Sequence, residues 1–236
     1  MPLSRTPELT NIGSFEKCWR LENGYWWMYK RGTNLELFSE LLIFRIGKVL
    51  RFNMAEYVSD GDTIKTLDFT DGAHVDYEAI IGIIGEFEYI KVYQKLLSLG
   101  ARIAIDFLKL CYLDALVLNM DRHEHNYGVL RNSDTGEVMD LAPLFDHNIA
   151  LVARGFPRTF NFERDPLINE FASLFKHANI HFKVQLLTKE VLANLVSEIG
   201  WELPKTDECR DPENFVIEYI LKRQNRLLEL LPQIYD

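Results

Sequence analysis

The 236 residues contain only three cysteines, Cys18, Cys111 and Cys209. An odd number without metal-type spacing argues against a disulfide framework or a cysteine zinc site, and it fits a reducing compartment; the chain is expected to be cytoplasmic. Positive charge is also scarce, with 26 Lys and Arg against 35 Asp and Glu and a net charge of −9. That balance argues against broad affinity for nucleic acid or an anionic bilayer, so a cleft that takes an anion must concentrate its own cations. No N-terminal apolar stretch resembles a signal peptide, and no apolar run is long enough to span a membrane. Internal repeats and low-complexity linkers are lacking too. What the chain does have is 47% hydrophobic residues. That is enough to argue against disorder and to build one good core or two small lobes sharing a cleft.

The most informative run is Asp121-Arg122-His123-Glu124-His125-Asn126, followed later by Leu141-Ala142-Pro143-Leu144-Phe145-Asp146. Asp121 and Asn126 are five residues apart. At that spacing one carboxylate can accept a hydroxyl proton while a carboxamide ligates Mg²⁺ beside it. Mg²⁺ prefers hard oxygen ligands, and Asn126 and Asp146 supply them. Between the two runs, 127–131 and 138–141 flank the turn-rich Asn132-Ser133-Asp134-Thr135-Gly136, a hairpin that brings Asp146 back towards Asn126. Upstream, 103–120 is apolar on nearly every side, interrupted only by Asp106, Lys109, Asp114 and Asn119. It reads as a buried helix that holds the loop rigid.

The D-x-H-x-x-N pattern with its L-A-P-L-F-D segment resembles the HipA-like kinases and, more distantly, the phosphatidylinositol kinases. The resemblance implies ATP and Mg²⁺ as cofactors, Asp121 as catalytic base, His123 as a loop-stabilising residue, and Asn126 and Asp146 as metal ligands. It implies a protein hydroxyl as acceptor and a toxin–antitoxin role, with an antitoxin as a possible partner. Full-length relatives carry an extra N-terminal subdomain, which a separate protein could supply here. His147-Asn148 stands where many kinases have Phe-Gly, so no Phe-driven switch is expected. Arg154 and Arg158 lie where a kinase handles its substrate and could contact a phosphate or an acidic peptide.

A kinase also needs a small lobe. Ser14 to Leu21 and Tyr25 to Arg31 alternate as two strands around Asn23-Gly24, a strong hairpin signal. Alternation puts Trp26, Met28 and Lys30 on one strand face, with Met28 set against adenine and Lys30 on the phosphates. In the next helix Phe38, Leu41, Leu42, Ile46 and Val49 form the apolar stripe, and Glu40, rather than Glu36, is the expected partner of Lys30. The presumed phosphate loop, 10–17, has one glycine where typical protein kinases have three. Gly13 and Ser14 are its candidate nucleotide contacts, and by resemblance Ser14 is the candidate for self-phosphorylation, which would place negative charge where ATP phosphates sit.

Strands at Met54 to Val58 and Thr63 to Phe69 lead to Thr70-Asp71-Gly72, the expected hinge. Beyond it the chain reads as helical apart from the hairpin, with stripes at 89–97 (stopped by Gly100), 186–199 and 215–231. The expectation is a two-lobed α+β, protein-kinase-like fold: a small nucleotide-binding lobe over 1–70 and a helical lobe over 71–236. Two competing functions remain. One is a metal-dependent hydrolase using His123, His125, Asp146 and His147, although barrel hydrolases need far more chain after the histidine pair. The other is a kinase-fold binding module or toxin-complex subunit without turnover, motivated by the sparse phosphate loop; uncompensated carboxylates in a cleft argue against it.

Overall fold

The structure is a computed structural model that describes residues 17–70, 74–85, 88–156 and 161–236. Gly13, Ser14, the hinge residues Asp71 and Gly72, and Arg158 lie outside the described residues.

Strands β1 (Lys17–Glu22) and β2 (Tyr25–Lys30) pair antiparallel across Asn23-Gly24, whose φ values of 51° and 85° are those a tight two-residue hairpin turn demands. Helix α1 (Asn34–Val49) follows, opened by a reciprocal cap: Glu36 N–H donates to Thr33 Oγ1 (3.3 Å) and Thr33 N–H to Glu36 Oε2 (2.7 Å). Glu36 is thereby used at the helix start, and one turn later Glu40 is buried with Leu37, Phe38, Leu41 and Leu42. Strands β3 (Tyr57–Asp60) and β4 (Thr63–Leu67) complete an antiparallel sheet of order β1-β2-β4-β3. The third strand starts three residues later than the expected Met54 to Val58 and runs on to Asp60. Met54 instead makes an isolated bridge with Leu144, and Ala55 N–H donates to Leu144 O at 3.0 Å, so this segment is used to reach the stretch before Asp146.

Past residue 70 the expectation of helices and one hairpin is corrected. Strand β5 (Val75–Ala79) pairs with β6 (Gly128–Asn132), which pairs with β7 (Val138–Leu141), giving a three-stranded antiparallel sheet. Gly128 permits this, because a Cβ there would collide with the backbone of Glu78 and Ala79. The short α2 (Ile80–Ile83) and amphipathic α3 (Tyr89–Leu99) precede α4 (Ala101–Val117), buried over most of its surface as its apolar sequence requires. Leu118, with φ 53°, turns the chain out of α4 into the 119–126 loop.

Helix α5 (Pro166–His177) lies in the stretch expected to be helical, without a named stripe; Asp165-Pro166 is a cap followed by a first-turn proline, and Ile168, Phe171, Ala172 and Phe175 form its buried stripe. Helices α6 (Lys189–Ile199) and α7 (Pro212–Leu230) match the two remaining stripes, capped by Thr188 and Asp211. The fully buried Arg223 of α7 makes a forked pair with Asp165 and donates to Ala115 O at 2.8 Å, fastening α4, α5 and α7 together. Arg45 of α1 bonds Glu198 of α6 at 2.6 Å, so the two parts of the chain are joined by more than the segment at 70. No helix among the described residues is long and apolar enough to cross a membrane.

Candidate active site

Lys30 ends β2 with its side chain buried, not as a solvated strand end. Its ammonium donates to Glu40 Oε2 (3.1 Å), Asp146 Oδ1 (2.8 Å) and the Tyr57 hydroxyl (3.3 Å). Burial alone would depress the Lys30 ammonium, but the carboxylates of Asp146 and Glu40 outweigh it and hold it well above its ordinary value. Burial likewise opposes ionisation of Asp146, yet Lys30 and Lys17 pull its carboxyl well below the usual carboxylate range. Glu40 does a second job: its Oε1 accepts the His147 main-chain N–H at 3.0 Å, so α1 grips β2 and the Asp146 segment at once.

Lys17 was not singled out by sequence reasoning. It is the register partner of Lys30 on β1, and its ammonium lies 4.0 Å from Asp146 Oδ2. Burial lowers its pKa against the pull of Asp146. Two lysines side by side on adjacent strands repel, and Asp146 and Glu40 balance them one for one. Met28, half-buried, lies on the same sheet face beside Thr66, whose buried hydroxyl has no partner among the described residues.

The loop is organised by Asp114, noted in the sequence only as an interruption of an apolar helix. Its carboxylate accepts Arg122 Nε (2.8 Å) and Nη2 (3.0 Å) and Asn119 Nδ2 (2.8 Å). Nη1 of Arg122 then donates to Asn126 O (2.6 Å) and Phe145 O (2.9 Å). One guanidinium nitrogen therefore bridges the main chain at Asn126 and at the residue before Asp146, tying together the two segments that carry the expected metal ligands. Asn126 is buried and its Nδ2 donates to Asp121 O at 3.2 Å, a bond that does not use the amide oxygen. Asp121 is partly exposed, with Asn119 Oδ1 accepting its N–H at 3.3 Å. His123 is exposed, and its Nδ1 accepts the His125 N–H at 3.3 Å within the loop.

A donor set of one carboxylate and one carboxamide suits Mg²⁺ better than a softer metal, and the two lysines beside it suit phosphate. The three-histidine alternative is corrected. No three His, Cys, Asp or Glu side chains among the described residues are grouped to share a metal ion. His147 is buried with Nε2 3.8 Å from Asp114 Oδ1, while His123 and His125 face outwards. Burial and the nearby Arg122 push the His147 pKa well down, so the ring is neutral. Arg154 is exposed.

No family model matches the chain, and no curated protein matches it. Solved structures do. The proinflammatory kinase CtkA of Helicobacter pylori superposes with a TM-score of 0.57 at 18% identity, over 91% of this chain and 92% of that one. HipA of the Shewanella oneidensis MR-1 toxin–antitoxin system, solved with HipB and operator DNA, superposes with a TM-score of 0.51 at 17% identity, over 96% of this chain and 66% of HipA. The fold is therefore the α+β kinase-like fold of CtkA and HipA.

Proposed function

We propose that this chain is an ATP- and Mg²⁺-dependent phosphotransferase acting on a protein serine or threonine hydroxyl. The observation that carries the reading is the buried Lys30, whose ammonium is held between Glu40 of α1, 10 residues on, and Asp146 after β7, 116 residues on. Lys30, aligned by Glu40, would hold the nucleotide phosphates, with Lys17 beside it making good a phosphate loop poor in glycine. Asn126 and Asp146 would ligate Mg²⁺, which when bound neutralises the phosphate charge. Asp121 orients the attacking hydroxyl and takes its proton as the new bond forms. The likeness to HipA, solved with HipB, supports a protein partner of the antitoxin kind.

Incubating the purified protein with ATP and Mg²⁺ is expected to release ADP and to add phosphate to the chain or to an added protein acceptor, read by intact-mass spectrometry. Nucleotide binding without turnover would instead support the binding-module reading. A sharper check compares two glutamates. Glu40→Gln weakens a charge-assisted bond in the site and should slow turnover on the order of 10- to 100-fold. Glu36→Gln keeps the cap, since Gln serves there as well as Glu, and should be near parental in a steady-state assay. The reverse order would refute the pairing. Lys30→Met is a poorer test, because it leaves Glu40 buried without its cation and Asp146 with only the more distant Lys17, and it should destabilise the fold by about 3–5 kcal/mol.

A further inference from the structure

We propose that Tyr57 is a positioning residue of this site: its hydroxyl holds the main chain at Asp146 so that the carboxylate stays aimed at the metal when Lys30 turns to the nucleotide. The inference rests on the phosphotransferase reading above. Tyr57 opens β3 on the sheet face that carries Lys30, since its register partner Thr66 stands opposite Met28. From there its hydroxyl accepts the Lys30 ammonium and the Asp146 main-chain N–H, each at 3.3 Å, and Lys30 Nζ lies 5.2 Å from the ring centroid. The ring is buried and packs edge-on against Phe44 at 6.0 Å, which fixes where the hydroxyl sits. Burial holds the phenol well above its usual range, so it remains a neutral hydroxyl.

Asp146 has φ 60°, a left-handed conformation uncommon outside glycine although Asp tolerates it better than most residues. Three contacts hold it here: Arg122 on Phe145 O, Glu40 on His147 N–H, and Tyr57 on the Asp146 N–H itself. In this structure Lys30 also neutralises the Asp146 carboxylate. Catalysis needs the ammonium on phosphate and the carboxylate on Mg²⁺, so that bond must open. Tyr57 touches both groups, and its bond to the Asp146 main chain survives the exchange.

The variant Tyr57→Phe keeps the ring and removes the hydroxyl. Calorimetry with a non-hydrolysable ATP analogue in EDTA should give an affinity within about twofold of the parent, while the Mg²⁺ concentration needed for half-maximal metal-dependent binding should rise about tenfold. The control Phe171→Leu trims a buried ring of α5 that packs on Tyr112 and Phe175 instead of on Tyr57; it should lower the melting temperature and leave the Mg²⁺ dependence parental. An unchanged Mg²⁺ dependence in Tyr57→Phe, or an equal rise in Phe171→Leu, overturns the positioning role alone. A parent protein that binds no nucleotide with or without Mg²⁺ overturns the phosphotransferase reading and this inference together.

Discussion

Asp121→Asn is expected to lower phosphotransfer by about 10²–10⁴-fold, the contribution of a positioned general base, while nucleotide affinity and melting temperature stay near parental. The selectivity follows from how the loop is built. The hydrogen bonds at Asp121 run through its main chain: its N–H to Asn119 Oδ1, and its carbonyl from His123 N–H at 2.9 Å and Asn126 Nδ2 at 3.2 Å. Exchanging the carboxylate for an amide of the same shape leaves these in place. Single-turnover rates with saturating Mg-ATP separate the chemistry from binding. A variant that transfers phosphate at the parental rate would show that another group takes the proton. The contrast is Asp146→Asn, which removes the carboxylate proposed to ligate Mg²⁺ and the counter-charge of two lysines, so metal-dependent binding itself should weaken.

Much of this site could be read from local sequence, because its residues lie on short-period elements. The Asn23-Gly24 turn fixes the phase of β2 and so the face of Lys30. Glu36 and Glu40 share one stripe of α1, and the structure supplies the physical reason to prefer Glu40, since Glu36 is consumed by the cap. The fold class followed from the order of strands and helices. What could not be read were partnerships set by tertiary approach. Lys17 faces the cleft because of its register against Lys30, and Tyr57 reaches Asp146 across 89 positions of chain. Strand β5 was missed because five residues carry little periodic signal and its partner β6 lies some fifty residues on. Helix α5 was expected only as part of a helical stretch, without bounds, despite a legible start signal at Asp165-Pro166.

The polar pair beneath the loop, Asp114 and Arg122, should carry a large stability effect. Both side chains are almost wholly buried, and their forked contact is supplemented by Asn119 and by two main-chain carbonyls. A buried pair of this kind is weak evidence for net stabilisation, but removing one member leaves the other charged and dry. Arg122→Met should therefore lower the unfolding free energy by about 3–5 kcal/mol, a large share of the roughly 5–15 kcal/mol that a domain possesses. Arg122→Lys keeps the charge but loses the fork, so it should fall between parent and Arg122→Met. Combining Arg122→Met with Asp114→Asn relieves the orphaned charge, and the double variant should be less destabilised than the sum of the singles. Urea unfolding of all four variants measures the coupling. If the effects simply add, Asp114 and Arg122 act independently. Coupling would instead make the Asp121–Asn126 loop and the Asp146 segment depend on one buried ion pair, since Arg122 is what ties the carbonyls of Asn126 and Phe145 together.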